Sequence, residues 1–258
     1  MLAPIWLPTA AAEATPDVHL IIPDPRWEMP ALLEPGRKPV GNVVVDWEHP
    51  VGQHVIHAFV PQESISDLVD GPLVVSGNAV VEDRVGKFTG AAGDKITYPS
   101  ATPVTTGLTI LCRLKRTTIN DDMGIYSDVV KADWGDHGIS INLRDASAGA
   151  VFYVGTEFTY TDDTSVGVGE YYDLACIWSA GSRQEILINS IEASYVAQNI
   201  ASSYTQSTTP ARLGTYYDES AGRTFNGDME YCFVIGMALS QEQARDVHSN
   251  PYQMLIPA

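Results

Sequence analysis

Positive charge is scarce in this sequence. Its 258 residues include 15 lysines and arginines against 32 aspartates and glutamates, which gives a formal net charge of −17. A surface of that sign repels the phosphate backbones of DNA and RNA, so no direct contact with nucleic acid is expected. Hydrophobic residues make up 45% of the chain, which is enough for the core of one large domain.

Long hydrophobic runs are also lacking. No apolar segment approaches the ~20 residues of a membrane-spanning helix, so a membrane is not an expected partner. The first residues, MLAPIWLPTAAAEA, share a brief apolar stretch with signal peptides. They carry no basic residue, and Pro4 and Pro8 interrupt the apolar stretch, so we expect this segment to remain in the mature chain.

Cysteine is rare. Cys112, Cys176 and Cys232 lie far apart, are odd in number, and each falls inside an apolar run typical of a strand. This pattern predicts buried free thiols, and neither a disulfide framework nor a metal site.

Proline, in contrast, is concentrated near the N-terminus. Nine of the 16 prolines precede Val51: Pro4, Pro8, Pro16, Pro23, Pro25, Pro30, Pro35, Pro39 and Pro50. Because proline lacks a backbone donor and keeps the preceding residue away from helical angles, residues 1–40 are predicted to form an extended arm. We assign an anchoring role to four of its apolar residues: Trp6, Leu20, Ile22 and Trp27. Two interpretations stand equally: attachment to a neighbouring subunit, or a strap over the arm's own domain.

From residue 41 to residue 258 the pattern is that of an all-β domain. Short apolar or alternating runs recur between glycine, aspartate, asparagine and serine residues. The predicted strands are Asn42–Asp46, His54–Val60, Leu73–Val75, Asp83–Phe88, Lys95–Tyr98, Leu108–Arg113, Gly124–Val130, Gly138–Leu143, Ala150–Val154, Tyr171–Trp178, Gln184–Ile188, Ala211–Gly214 and Gly227–Met237. So many strands without intervening helices predict two packed antiparallel sheets.

Two of these runs alternate clearly, which predicts one apolar face on each strand. The first face consists of Leu108, Ile110, Cys112 and Leu114. The second consists of Met229, Tyr231, Phe233, Ile235 and Met237.

One short helix is predicted near the C-terminus. Ser240 and Gln243 form a capping-box pair, and Leu239 with Ala244 forms a hydrophobic staple. Asn250-Pro251 then ends the helix.

A series of short motifs occurs in a fixed order along the domain. They are HVIHAFV followed by Asp67-Leu68-Val69-Asp70-Gly71, then Phe88-Thr89-Gly90, Leu108–Cys112, Tyr171–Ala175 with the hairpin EILINS, Phe225–Met229 and Ala238–Gln243. In order and spacing they resemble the laminin-G-like, concanavalin A-like superfamily. That resemblance implies an antiparallel two-sheet jelly-roll sandwich. Family members usually carry Asp-Gly at the hairpin turn, where this sequence has Asn189-Ser190.

The flanks of the domain narrow the resemblance. The entry to the domain reads GRKPVGNVVVDWEHPVGQHVIHAFV, and its last residues read HSNPYQMLIPA. Both segments are similar to those of laminin-G-like proteins encoded by tailed phages and prophages. The resemblance implies a non-enzymatic virion protein on the outer capsid surface. Such a protein would be a capsid decoration or cement protein, or a head-fibre protein. Its implied partners are the major capsid protein or other virion subunits, and further copies of itself in a dimer or trimer. The alternative is an adhesion module on a tail or head fibre that binds host surface glycans.

The superfamily also includes glucanases, so a glycanase is a third interpretation. A retaining glucanase needs two carboxylates about 5–5.5 Å apart, which on a strand requires acids two positions apart, as in E-x-D-x-x-E. No glutamate here has that frame, and the adjacent pairs Glu82-Asp83 and Asp121-Asp122 would point to opposite faces of a strand. No catalytic residue and no enzyme activity are therefore expected.

No cofactor or metal ion is expected either. Six loop acids could supply oxygen ligands for calcium but match no calcium motif of the family: Asp121, Asp122, Asp162, Asp163, Asp218 and Glu219. Three histidines, His49, His54 and His57, gather near the start of the domain. On one predicted strand, His54 and His57 would face opposite sides.

Aromatic residues could form a platform for sugars. The candidates lie mostly at strand ends and in loops: Tyr153, Phe158, Tyr160, Tyr171, Tyr172, Tyr204, Tyr216 and Tyr217. Because large sandwiches also bury many aromatic side chains, packing in the core or in an interface is the alternative.

Overall fold

The computed structural model describes residues 38–39, 41–62, 65–120, 122–129, 138–144, 149–162 and 166–258. The chain divides into two units, Met1–Pro30 and Ala31–Ala258. The first unit lies entirely outside the described residues, and so do the predicted anchors Trp6, Leu20, Ile22 and Trp27. The arm over residues 1–40 and its role therefore stay predictions.

Within the described residues, the second unit consists mainly of short strands. In chain order they are β1 (Val43–Val45), β2 (Val55–Phe59), β3 (Ser66–Asp67), β4 (Gly71–Pro72), β5 (Val74–Ser76), β6 (Val80–Glu82), β7 (Val85–Thr89), β8 (Lys95–Thr97), β9 (Gly107–Arg116), β10 (Met123–Ser127), β11 (Ile139–Leu143), β12 (Ala150–Val154), β13 (Glu157–Thr161), β14 (Tyr172–Ser179), β15 (Arg183–Ile188), β16 (Ile191–Glu192), β17 (Tyr195–Gln198), β18 (Arg212–Leu213), β19 (Asn226–Ile235) and β20 (Leu255–Pro257). One α-helix, α1, spans Gln241–Ser249. The described part of the chain holds no helix long and apolar enough to cross a membrane.

Two large sheets form the sandwich. Sheet I has the strand order β16-β15-β14-β9-β19-β2-β3-β4, and β7 with β6 pairs along β19. Sheet II has the order β17-β13-β12-β11-β10-β18-β8-β5, while β1 and β20 form a separate pair. The strands of both sheets pair antiparallel, which confirms the predicted antiparallel jelly-roll sandwich.

The core between the sheets uses the face that the sequence predicts for β9. Its four alternating residues, from Leu108 to Leu114, are all 0% exposed and belong to one apolar cluster. Ile141 and Phe152 of sheet II belong to the same cluster. A fully buried side chain of this size stabilises the folded state by about 1.5–3 kcal/mol.

The predicted face of β19 is split by a β-bulge. Met229 and Tyr231 pair with consecutive residues of β9, so Glu230 is the extra residue. Met229 consequently belongs to the core between the sheets, whereas Tyr231, Phe233 and Ile235 belong to a second apolar cluster on the outer side of sheet I. The prediction of one continuous face was wrong, because alternation in a sequence does not reveal an inserted residue.

The helix α1 covers that outer cluster. The Ser240 hydroxyl accepts the backbone N–H of Gln243 at 3.1 Å, and the Gln243 side chain accepts the backbone N–H of Ser240 at 2.9 Å. This confirms the predicted capping box. Ala244 and Val247 are buried in the second cluster together with Leu239. Capping and apolar contact together hold the helix on sheet I.

The hairpin between β15 and β16 turns through two left-handed residues. Asn189 has φ 50° and Ser190 has φ 67°, as in a type I′ turn. The side-chain oxygen of Asn189 also accepts the backbone N–H of Asp173 at 3.0 Å. Asparagine therefore suits the first turn position, while the second holds a serine in a conformation that favours glycine.

Candidate functional site

The outer side of sheet II carries a group of aromatic side chains. Phe152 on β12 belongs to the core, so the next residue, Tyr153, points outward. Tyr153 pairs with Phe158 on β13, with ring centres 5.7 Å apart, and Tyr160 lies two positions further along β13 on the same side. All three side chains are half-buried, so part of each ring remains accessible.

The loop between β18 and β19 brings two more rings to this side. Gly124 on β10 makes room for it, because a Cβ at Gly124 would lie 2.2 Å from the backbone carbonyl of Thr215. The rings of Tyr216 and Tyr217 follow, with centres 4.3 Å apart. Tyr217 is half-buried, whereas Tyr216 is buried with 4% exposure and supports its neighbour. Both tyrosines interact electrostatically with Tyr153. We call the five residues together the aromatic face: Tyr153, Phe158, Tyr160, Tyr216 and Tyr217.

Asp122 stands beside this face in a left-handed backbone conformation, with φ 50°. Most residues are strained there, whereas aspartate and asparagine tolerate it. The Asp122 carboxylate lies 3.1 Å from Nε of Arg144. The Arg144 guanidinium in turn lies 5.1 Å from the ring centre of Tyr160. Asp122 therefore contributes to holding an arginine against the aromatic face.

Arg223 has a similar arrangement. Its guanidinium lies 5.2 Å from the ring centre of Tyr216, and its Nη1 lies 3.4 Å from the Asp218 carboxylate. Partial burial lowers the pKa of Arg223, but the Asp218 and Asp122 carboxylates outweigh this effect, so the pKa is raised above its ordinary value. Each arginine of the aromatic face thus has an aspartate partner.

The phenols of Tyr153 and Tyr216 remain protonated at neutral pH. Burial raises the pKa of Tyr153 and of Tyr216, and the Asp122 carboxylate raises both further. The face therefore offers ring surfaces, phenol hydroxyls, guanidinium donors and carboxylate acceptors. Such a set of groups suits a ligand that is rich in hydroxyl groups.

The other three aromatic candidates lie elsewhere. Tyr172 and Tyr204 are buried in the core, and the Tyr204 hydroxyl donates to the backbone oxygen of Pro103 at 2.6 Å. Tyr171 lies near Arg113 and Lys115 of sheet I, with its ring centre 5.5 and 5.0 Å from their cationic groups. Core packing therefore explains Tyr172 and Tyr204.

Three of the acids considered as calcium ligands have basic partners: Asp122, Asp218 and Glu219. The Glu219 carboxylate contacts Lys95 at 2.5 Å and Arg212 at 2.6 Å. Asp162 is exposed, while Asp121 and Asp163 lie outside the described residues. The paired acids neutralise neighbouring cations.

A buried histidine–aspartate pair near the start of the domain escaped the sequence analysis. His57 Nδ1 on β2 lies 2.8 Å from Asp67 Oδ2 on β3, and Asp70 Oδ2 is 3.9 Å from the same nitrogen. The other oxygen of Asp67 accepts the backbone N–H of Ala58 at 2.8 Å. The pair fastens β3 to β2.

His54 precedes β2 in a short 3-10 turn and is exposed, so the prediction of two histidines on one strand was wrong.

The two arginines of the aromatic face were not recognised from the sequence either. Arg144 directly follows β11, and its alternation with Leu143 places it on the outward side. That position was a usable signal. The sequence around Arg223 offered no such signal, because its loop reaches the face through contacts with distant strands, among them the one at Gly124.

Comparisons with known proteins identify the family. Residues 89–245 match the family described as the concanavalin A-like lectin/glucanases superfamily. No curated protein sequence matches the chain significantly. Among solved structures, domain 4 of AbnA, an extracellular GH43 arabinanase from Geobacillus stearothermophilus in complex with arabinotriose, has a TM-score of 0.59 at 15% identity. That similarity covers 75% of this chain and 97% of that chain.

Two further structures share the fold. The binding domain of botulinum neurotoxin serotype D/C has a TM-score of 0.57 at 10% identity, covering 76% of this chain and 51% of that chain. A Trypanosoma rangeli sialidase has a TM-score of 0.55 at 9% identity, covering 78% of this chain and 33% of that chain. At such identities these likenesses show the fold alone. The family match over residues 89–245, more than half of the sequence, shows that the chain belongs to the concanavalin A-like lectin/glucanases superfamily.

Proposed function

We propose that this domain binds carbohydrate on its aromatic face and does not cleave it. The observation that carries the proposal is the grouping of four half-buried rings on one outer side of sheet II, those of Tyr153, Phe158, Tyr160 and Tyr217, with the buried Tyr216 packed beside Tyr217. A sugar ring stacks its C–H groups on such rings, and planar guanidinium and carboxylate groups orient its hydroxyls. The similarity to an arabinanase domain that was solved with arabinotriose supports this assignment.

The state of the nearby carboxylates supports binding without cleavage. Asp122 and Asp218 are held by arginines, and a retaining glycanase would need a free nucleophile together with a protonated acid. Burial raises the pKa of Asp128 to about 6, and a raised pKa is a property of general acids. However, Asp128 is 0% exposed and accepts the backbone N–H of Ile139 at 2.5 Å, so a polysaccharide has no access to it.

Calorimetric titration with neutral oligosaccharides tests the binding proposal. Tyr153→Ala or Tyr160→Ala should each weaken binding about tenfold, or about 1.4 kcal/mol, because the sugar loses a ring on which its C–H groups stack. Tyr171→Ala is the matched control: it removes a half-buried tyrosine with two cationic neighbours from sheet I. Equal affinities in the parent and both face variants would contradict the proposal.

A reducing-end assay tests the absence of cleavage. The intact protein incubated with β-glucans and galactans should release no reducing ends. Turnover that is lost in Asp122→Asn or Asp128→Asn would show that the domain is a glycanase.

We further propose that the domain is displayed on a phage virion and is attached there through residues 1–40. The support is the sequence resemblance of the two flanks, together with the way these flanks meet. Val43 of β1 pairs with Pro257 of β20, and Val45 pairs with Leu255. Both phage-like flanks thus form one sheet, and the chain leading to the arm leaves the domain beside the C-terminal strand.

Truncation tests the attachment. Lys38 donates to the backbone oxygen of Glu230 at 2.8 Å, and Arg84 donates to that of Pro39 at 2.9 Å. Deletion of residues 1–37 preserves both contacts and should leave a folded domain that no longer binds capsids. The control is the full chain, with folding checked by circular dichroism. If the truncated protein still decorates capsids at full occupancy, the arm does not attach the domain and only straps its own domain.

A further inference from the structure

We infer that the aromatic face selects neutral glycans over acidic ones and that Asp122 is the residue that sets this preference. The inference rests on the proposed carbohydrate binding and specifies its ligand class.

Acidic sugars are recognised mainly through arginine, which binds a carboxylate with two parallel hydrogen bonds. Both arginines of the aromatic face already contact a carboxylate of the protein. Arg144 contacts Asp122 at 3.1 Å, and Arg223 contacts Asp218 at 3.4 Å. The carboxylate of a uronic or sialic acid would have to displace an aspartate that is covalently fixed beside its arginine.

Asp122 acts on more than its direct partner. Its charge also raises the pKa of Arg223 and of the Tyr153 and Tyr216 phenols, so it interacts with both parts of the face. The formal charge of −17 adds a general repulsion of anions. Salt screens charges beyond about 8 Å at physiological ionic strength, so the local carboxylate outweighs the distant ones.

The backbone conformation at Asp122 allows a substitution that removes the charge of the side chain without changing the turn. Its φ of 50° restricts the position to residues that tolerate the left-handed region, and asparagine tolerates it as well as aspartate does. Asp122→Asn therefore removes the charge and retains the turn. Asp83 provides a matched control: it also has a left-handed φ, of 52°, and lies on the hairpin between β6 and β7, where it pairs with Lys87. Both substitutions change the net charge equally.

The experiment measures the affinity of each protein for a neutral oligosaccharide and for the corresponding uronate, which differs only by oxidation of C6. An unchanged midpoint of unfolding shows that each variant is folded. We expect the unsubstituted protein to bind each uronate at least tenfold more weakly than its neutral counterpart. Asp122→Asn should strengthen uronate binding about tenfold and raise the ratio of uronate to neutral affinity. Asp83→Asn should change neither.

The outcomes separate this inference from the binding proposal. Equal affinity of the unsubstituted protein for neutral and acidic members would overturn the selectivity and leave carbohydrate binding intact. No gain of uronate binding in Asp122→Asn, or the same gain in Asp83→Asn, would overturn the role of Asp122. Failure of every neutral and acidic member to bind would overturn the proposed function itself.

Discussion

Cys112 and Cys232 lie directly opposite each other on the adjacent strands β9 and β19, and both side chains belong to the core between the sheets. Both are free thiols with 0% exposure, as is Cys176 on β14. The prediction of buried free thiols is confirmed. Burial raises the pKa of Cys232 to about 12 and that of Cys112 well above its usual value, so neither forms a reactive thiolate at neutral pH.

The native protein should therefore resist alkylation at all three cysteines. Iodoacetamide should add no label to the folded chain and three labels after denaturation, as measured by the intact mass. A fully denatured chain that takes up only one label would reveal a disulfide and contradict the expectation.

Asp128 should make the protein more stable as the pH falls below neutral. Burial raises its pKa from 3.8 to about 6 in the folded state. Between these values the folded state binds a proton that the unfolded state does not, so the free energy of unfolding increases as the pH falls through 6 and levels off near 4. The gain amounts to roughly 3 kcal/mol, since each pKa unit corresponds to about 1.4 kcal/mol.

Asp128→Asn isolates this contribution from the general relief of negative charge. Urea unfolding at pH 7.0, 5.5 and 4.5 should show a smaller increase in the variant, and the variant should be the more stable protein at pH 7. Parallel pH profiles for the two proteins would show that Asp128 titrates normally.

Gly124→Ala should destabilise the fold and weaken glycan binding together. The new methyl group would lie 2.2 Å from the backbone of Thr215 and would push away the loop that carries Tyr216 and Tyr217. Overpacking of this kind costs about 1–3 kcal/mol. Denaturant unfolding and calorimetric titration check the two effects, and unchanged affinity would mean that the loop does not contribute to the ligand site.

Ser190→Gly should stabilise the protein by about 0.5–1 kcal/mol, because glycine adopts the left-handed conformation of the hairpin without strain. The matched variant Asn189→Gly should show no such gain, since it loses the side-chain oxygen that accepts the backbone N–H of Asp173 at 3.0 Å. Chemical denaturation compares the two. A larger gain in Asn189→Gly would reverse this reasoning about the turn.

Strong local patterns made most of the fold predictable. The face from Leu108 to Leu114 and the capping box at Ser240 follow from side-chain spacing alone, and both are confirmed. The strands β13 and β17 were missed, because neither has an apolar face: the buried positions of β13 are Thr159 and Thr161, and β17 has no fully buried residue. The bulge at Glu230 was missed since it depends on the register with β9.

The site was predictable only as a set of side-chain types. The five rings of the aromatic face were all among the eight aromatic candidates, but the sequence did not show which of them share a surface. That grouping depends on the pairing of β12 with β13 and on the contact of Thr215 with Gly124, which joins distant parts of the chain. The pairing of His57 with Asp67 likewise follows from the strand pairing of β2 with β3.

The pairing of β1 with β20 also determines how the domain responds to force. Asn42 and Ala258 lie at the same end of this pair, where the backbone N–H of Ala258 donates to the oxygen of Asn42 at 3.0 Å. Tension between these two residues therefore opens the β1–β20 hydrogen bonds one after another, as in unzipping, and does not shear them all at once. That tension loads the two-stranded sheet first, before it reaches sheet II and the aromatic face.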